Sequence, residues 1–312
     1  MERTPVIIDT DPGIDDFFAI MLAGSCNELD IKAITTVAGN QTSESVTKNA
    51  LDIAEYFHIN TEIAKGAEKP LNMPLHTAGH IHGENGLGNL QLKASKKAIS
   101  KDYAWDVIYQ HAVDAKGKLD ILAIGPLTNI AIALLKYPTL SKLINRIVLM
   151  GGSSETGNVS PYAEFNIGAD PFAADIVFKS KVPLVMVGWN VAMESGLTDE
   201  EVEILTRIET PYSKECTALL NFLHDVNRKF GRDTIPLSDA LAVAYAINPA
   251  VLNCRDCYVA VETRSSLNMG RTVVDLNQTC KDIPTNCCVG IGTNKDAYFD
   301  MLVQMMHYYQ QN

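Results

Sequence analysis

Short runs of aliphatic and β-branched residues alternate along the chain with stretches in which apolar positions recur every three or four residues. Val6 to Asp9, Ile31 to Val37, Leu119 to Ile124, Ile147 to Met150 and Val182 to Gly188 have strand length and strand composition. Between the second and third runs, Val46, Ala50, Ile53, Ala54 and Phe57 fall on one face of a helix. Ile130, Ala131, Leu134 and Leu135 do the same after Pro126-Leu127-Thr128-Asn129. This rhythm predicts βα units, and hence an α/β protein with an open, mostly parallel twisted sheet and helices on both faces. No repeat, low-complexity tract or Pro/Ser-rich linker divides the chain, so residues 1–312 are expected to form a single domain. The segments near 66–102 and 210–236 read as less regular and are candidates to border a site.

Composition narrows the partners. With 46% hydrophobic and 20% charged residues the chain can bury a large core. A formal charge of -11 disfavours nucleic acid and anionic membrane, which both favour basic surfaces, and leaves a small neutral ligand as the simplest partner. The N-terminus enters a strand without a basic-then-apolar leader, and no apolar run reaches the length of a membrane span, so a soluble cytoplasmic protein is expected. Seven cysteines without an export signal predict reduced thiols. Cys254 and Cys257 have the C-x-x-C spacing of a structural zinc site, but Cys280, Cys287 and Cys288 do not supply the matching pair.

The densest chemistry is Asp9-Thr10-Asp11-Pro12-Gly13-Ile14-Asp15-Asp16, directly after the first apolar run. Pro12-Gly13 should turn the chain sharply, after which Asp15-Asp16 open an amphipathic stretch through Phe17, Ile20, Met21 and Leu22. Capping would account for Asp15 or Asp16. It leaves Asp9 and Asp11 unexplained at the end of a strand. Converging carboxylates repel unless a cation compensates them, and hard oxygen ligands favour Ca²⁺ or Mg²⁺. In an open parallel sheet, ligands bind beyond the carboxyl ends of the strands. Those ends carry Asp9-Thr10-Asp11, Ala38-Gly39-Asn40, Gly125-Pro126-Leu127-Thr128-Asn129, Met150-Gly151-Gly152 and Trp189-Asn190.

In these motifs the chain resembles the inosine-uridine preferring nucleoside hydrolases. The opening aspartates look like that family's N-terminal signature. Thr35 to Asn40, Ala78-Gly79-His80-Ile81-His82-Gly83, Gly125 to Asn129, Met150-Gly151-Gly152, Gly157-Asn158 and Ala163-Glu164-Phe165-Asn166 follow in the family's order, from about Pro5 to beyond Asp239, with a weaker echo in Gly270 to Asp275. The resemblance implies a Rossmann-like nucleoside hydrolase fold, one Ca²⁺, a ribonucleoside substrate and hydrolysis to ribose and free base. It also implies a homo-oligomer, a dimer or a tetramer. Asp11, Asp16 and Asp239 correspond to carboxylate ligands and Thr128 to a backbone carbonyl ligand, with Asp11 also the general base on a water held by the cation. Asp15, Asn40, Asn158, Glu164 and Asn166 correspond to ribose contacts. Met150 and Phe165 belong to the same substrate-binding stretches, and His82 lies near the base and the ribose edge, as a contact and a candidate catalytic residue.

Two positions depart from the family pattern. Ser238-Asp239-Ala240 stands where many members have His-Asp-Pro; a serine hydroxyl is too weak an acid to protonate a departing base. His224 is a candidate substitute if the helix around Phe222 to Phe230 closes over the site, and Trp189, Tyr212, Phe222, Phe230 and Tyr162 are candidate aromatic neighbours of the base. Asn190 replaces a family aspartate, and is expected to lie behind the site. Two alternatives follow. A phosphatase with an aspartyl nucleophile also ends its first strand in D-x-D, but Pro12-Gly13 occupies the stretch where that chemistry wants Thr or Val. Ser238 also admits a nucleoside- or ribose-binding protein with little turnover.

Overall fold

The computed structural model describes residues 3–311. The main sheet contains β1 (Thr4–Thr10), β2 (Leu29–Thr36), β3 (Glu62–Lys65), β4 (Leu119–Ala123), β5 (Ile144–Met150), β6 (Leu184–Val187) and β7 (Leu252–Cys257). A short antiparallel pair, β8 (Val259–Val261) and β9 (Thr272–Val274), precedes its last strand, β10 (Cys287–Thr293). All five strands expected from the apolar runs are present.

The spatial order is β3-β2-β1-β4-β5-β6-β10-β7, parallel throughout except for β7, which pairs antiparallel with β10. Strand periodicity builds two apolar layers. Val6 and Ile8 face one, with Phe17 and Ile20 of helix Ile14–Ser25 and Leu241 of helix Ser238–Ile247. Ile7 faces the other, with Ile121, Ile147 and, from helix Thr128–Lys136, Ile130. Burying each of these side chains contributes about 1.5–3 kcal/mol, so the alternation fixes the register of β1.

That register places the site. β2 and β3 lie on one side of β1, whereas β4, β5 and β6 lie on the other. The loops leaving the carboxyl ends of β1 and β4 therefore part, and open the crevice in which α/β sheets bind ligands.

Three stretches differ from the pattern read in the sequence. Segment 66–102 is irregular as expected, with one short helix, Gly79–His82, among its described residues. Segment 210–236 instead contains the seventeen-residue helix Ser213–Lys229. The zinc reading is excluded by strand geometry: residues three apart on a strand face opposite sides, so Cys254 packs against one apolar layer with Cys288, and Cys257 lies in the other with Cys287. No helix among the described residues is long and apolar enough to cross a membrane.

Candidate active site and metal centre

β1 delivers Asp9 and Thr10 to the crevice, and Asp11 follows them. Pro12-Gly13 then turns the chain into helix Ile14–Ser25, with Asp15 and Asp16 in its first turn. Asp16 closes this corner: one carboxylate oxygen accepts the Gly13 N–H at 2.8 Å, and the other accepts the Thr10 hydroxyl. Asp239 arrives on the first turn of helix Ser238–Ile247, which packs on Ile14–Ser25. One oxygen from each of Asp15, Asp16 and Asp239 lies within 4.8 Å of the other two, the only such metal-sized group among the described residues. Asp15, which the resemblance assigns to the ribose, is thus also part of the carboxylate cluster. Asp11 lies outside its tightest group, yet near enough for Asp16 and Asp15 to act on its charge.

Burial first, and then the neighbouring carboxylates, hold Asp11 and Asp239 well above the usual carboxylate range. Burial also pushes Asp15 and Asp16 up to about 6. Among the described residues, no ion pair to lysine or arginine offsets this charge. Oδ1 of Asp11 and Oδ1 of Asp15 are buried without a hydrogen-bond partner. Burial is the largest cause at both Asp15 and Asp239, and at Asp239 the charges of Asp15 and Asp16 add to it. Capping explains Asp16, and helix dipoles favour acids at all three first-turn positions. Neither satisfies the orphan oxygens. An acceptor-only set of hard oxygens with unfilled lone pairs fits Ca²⁺.

The surrounding residues fix this set in place. Asp9, pushed up to about 7 by burial, accepts from Thr35 Oγ1 at 2.5 Å and Asn129 Nδ2 at 2.8 Å, and so ties the ends of β1, β2 and β4 together. Asp11 Oδ2 accepts the Asn40 N–H at 2.6 Å. A Cβ on Gly39 would lie 2.1 Å from that Oδ2, so only glycine admits the approach. Gly39→Ala is expected to displace the Asp11 carboxylate and lower kcat by about 10²-fold, the cost of a misplacement near 1 Å. Unchanged turnover in a folded variant, checked by circular dichroism, would contradict this placement.

The cluster forms the floor of a cavity of about 180 Å³, several times the volume of a water molecule and therefore room for a small organic ligand. Asp15, Asn40, His82 and Asp239 line it from one side, and Met150, Asn158, Glu164, Phe165 and Asn166 from another. Asp11 and Asp16 are fully buried beneath it. Thr128 does not line it; its hydroxyl donates to Asp170 at 2.8 Å.

Glu164 caps helix Phe165–Ala169 and accepts the backbone N–H groups of Asn166 and Gly152, each at 2.9 Å. Burial nevertheless pushes it up to about 7. Asn166 Nδ2 bridges the carbonyls of Ile124, at 3.1 Å, and Met150, at 3.0 Å, and so locks the ends of β4 and β5 together. His82 accepts the Ile14 N–H on Nδ1 at 3.2 Å, and burial lowers it to about 4. It is neutral near pH 7, with its proton on Nε2. In that state it can donate a hydrogen bond from Nε2 to a substrate.

The candidate substitutes divide. His224 lies outside the cavity, 3.4 Å from Asp199 and accepting from Arg228 Nε at 3.3 Å, because its face of helix Ser213–Lys229 points away from the crevice. Tyr212 packs into a distant cluster with Tyr56, Phe57 and Tyr309. Phe222 packs beside Gly88 and Tyr162 against the Arg271 guanidinium, and neither lines the cavity. Trp189 and Phe230 do line it, with Ser238. Asn190 sits behind it, holding the Ser154 N–H and the Gly290 carbonyl. Two polar lining residues, Asn227 and Arg232, had no signal in the sequence; both come from the segment that reads as irregular.

A family profile described as inosine-uridine preferring nucleoside hydrolase matches residues 6–300. The pyrimidine-specific ribonucleoside hydrolase RihA of Shewanella sp. (strain MR-7) is 40% identical over 308 residues, covering 98% of this chain and 96% of the relative. Among solved structures, a plant nucleoside hydrolase, PpNRh1, superposes with a TM-score of 0.91 at 30% identity, covering 98% of this chain and 99% of that one. The purine-preferring ribonucleoside hydrolase from Gardnerella vaginalis superposes with a TM-score of 0.92 at 28% identity, covering 99% of this chain and 100% of that one. The chain belongs to the inosine-uridine preferring nucleoside hydrolase family.

Proposed function

We propose that this protein hydrolyses the N-glycosidic bond of ribonucleosides, giving ribose and free base, with Ca²⁺ held by Asp11, Asp16, Asp239 and the Thr128 carbonyl. One observation carries the reading: a cluster of buried carboxylates, in which Oδ1 of Asp11 and Oδ1 of Asp15 lack partners, lies at and beneath the floor of a cavity lined by asparagine and glutamate side chains. When bound, the cation supplies a lowered water pKa and an anchor for hydroxyl groups.

The chain's own residues do the rest. Asn40 fixes Asp11 through Oδ2, which leaves Oδ1 free to take the proton of the attacking water. Asn40, Asn158, Glu164 and Asn166 present both donors and acceptors, as ribose hydroxyls require. As the bond to the base breaks, positive charge develops on the sugar, and the Asp15 and Glu164 carboxylates face the same cavity to stabilise it. Met150 and Phe165 supply the apolar part of the wall.

Base preference has a different origin. The Shewanella relative is named pyrimidine-specific and the Gardnerella structure purine-preferring, which supports assigning selection to side chains beyond the ribose set.

The test is free ribose released from a panel of ribonucleosides with Ca²⁺ present. Release from at least one is expected, and the corresponding 2′-deoxyribonucleosides should be slower by about 10⁴-fold, because a site built to bind a hydroxyl rejects its absence. Comparable deoxy rates would remove the ribose assignments. Saturable binding of nucleosides in calorimetry without any ribose would favour the binding-protein alternative.

A further inference from the structure

The aspartate cluster activates water and steadies the sugar, but it cannot help the base to leave. As the glycosidic bond breaks, both electrons remain on the base nitrogen. The base therefore departs as an anion unless something protonates or stabilises it. Ser238 is too weak an acid, and His82, whose Nδ1 accepts the Ile14 N–H, offers a neutral Nε2–H donor but no positive charge.

Among the described residues, Arg232 is the one permanently charged cation that lines the cavity. It follows Gly231, whose φ of +70° turns the chain back after helix Ser213–Lys229, and its N–H donates to the Asn227 carbonyl at 3.0 Å. The guanidinium carbon sits 5.0 Å from the ring centroid of Trp189 and 5.3 Å from that of Phe230. Among the described residues its one side-chain hydrogen bond is weak, from Nη1 to Asn227 Oδ1 at 3.4 Å. No carboxylate among the described residues pairs with it. Arg228, one turn earlier, takes both nearby acids, Asp199 and Asp233, each at 2.8 Å. A half-buried guanidinium held by aromatic faces and left without an acid keeps most of its five N–H donors free for a ligand.

We propose that Arg232 receives the departing base: its N–H groups donate to a carbonyl oxygen of the base, and its charge stabilises the anion as the bond breaks. The proposal rests on the hydrolase reading above. The C1′–N bond breaks with its electron pair going to the base nitrogen, while the water oxygen bonds to C1′ and passes its proton to Asp11. The base anion then takes a proton from solvent, and Asp11 returns its own. The arginine keeps its proton throughout. Because a guanidinium only donates, it favours bases whose outer edge carries a carbonyl, uracil and hypoxanthine, over adenine, whose amino group also donates.

The experiment compares Ca²⁺-loaded wild type, R232M and R232K on uridine, inosine, adenosine and p-nitrophenyl riboside, whose phenolate leaves without help near neutral pH. For R232M we expect kcat to fall by about 10²–10³-fold on uridine and inosine, the cost of removing one donor aimed at developing negative charge. Loss on p-nitrophenyl riboside should stay below about tenfold, and the preference for inosine over adenosine should shrink. R232K, which keeps a charge but loses the fork, should fall between. If R232M does not fold, R232K carries the same comparison. Equal losses on both kinds of leaving group, or no loss on nucleosides, would overturn the role of Arg232 and leave the hydrolase reading intact. A wild type that releases no ribose from any nucleoside would overturn both.

Discussion

Replacing Asp11 with alanine or asparagine is expected to abolish ribose release while making the metal-free protein more stable. Loss of a positioned base alone costs about 10²–10⁴-fold in rate, and in the proposed site Asp11 would also hold the cation. The gain in stability follows from the same geometry. Asp11 is fully buried, its Oδ1 has no partner, and burial together with Asp16 and Asp15 disfavours its charge. Asparagine keeps the shape without the charge, although its amide is less well matched to the Asn40 N–H if it rotates. Thermal melts in EDTA should therefore show the variant melting a few degrees above wild type at pH 7.5. In saturating Ca²⁺ the order should reverse, because only wild type gains the full binding energy. A variant that is inactive and also less stable without metal would mean that Asp11 is a structural residue. Retained turnover would refute its role as base.

The second large effect is on stability against pH. Burial pushes Asp9 up to about 7 and Asp15 and Asp16 up to about 6, and burial together with the neighbouring aspartates holds Asp11 and Asp239 well above the usual carboxylate range. All five lie above the value near 3.9 of an unfolded aspartate. Their contribution to stability is therefore complete below about pH 4 and is lost as pH rises through the folded values. His82 works in the opposite sense: lowered to about 4, it adds stability as pH rises from there towards 6.5. One histidine against five carboxylates leaves the carboxylates in control. Without metal the melting temperature should fall between pH 5 and pH 7.5, and Ca²⁺ should raise it far more at pH 7.5 than at pH 5. Comparing Ca²⁺ with EDTA at each pH removes the contribution of groups remote from the cluster. A calcium effect independent of pH would show that these carboxylates do not hold the ion.

How much of this was legible in the sequence differs by element. β1, β2, β4, β5 and β6 are continuous apolar runs because both faces of the sheet are covered, and such runs read directly. The ends of those runs named Asn40, Met150 and Trp189 at the cavity and Asp11 beneath it, since topology sends every parallel strand's carboxyl end to the same edge, whereas His82, Asn158, Glu164, Phe165, Asn166 and Asp239 came from the family resemblance. β3 has four residues, and β7 presents Asn253, Arg255 and Asp256 among its six, too short or too polar to stand out. In helix Ser213–Lys229 the buried Cys216, Leu219, Leu220, Leu223, Val226 and Asn227 do follow helical spacing, but the charged residues between them mask the stripe. That helix and the turn after it bring Asn227, Phe230 and Arg232 to the cavity. Nothing local marks Arg232 as different from Arg228; the distinction is which of them the surrounding aspartates reach. The place of Asp15 in the carboxylate cluster was likewise invisible, because it depends on how two helices separated by more than two hundred residues begin at one point.

The central claim is that the buried aspartates are a calcium centre for ribonucleoside hydrolysis. Its most direct test is to strip the protein with chelator, remove the chelator, and measure ribose release from uridine and inosine as Ca²⁺ is added back. The account predicts no release from the stripped protein and full activity at about one Ca²⁺ per chain. Ribose released at the same rate with and without the ion, or none at any calcium concentration, would contradict it.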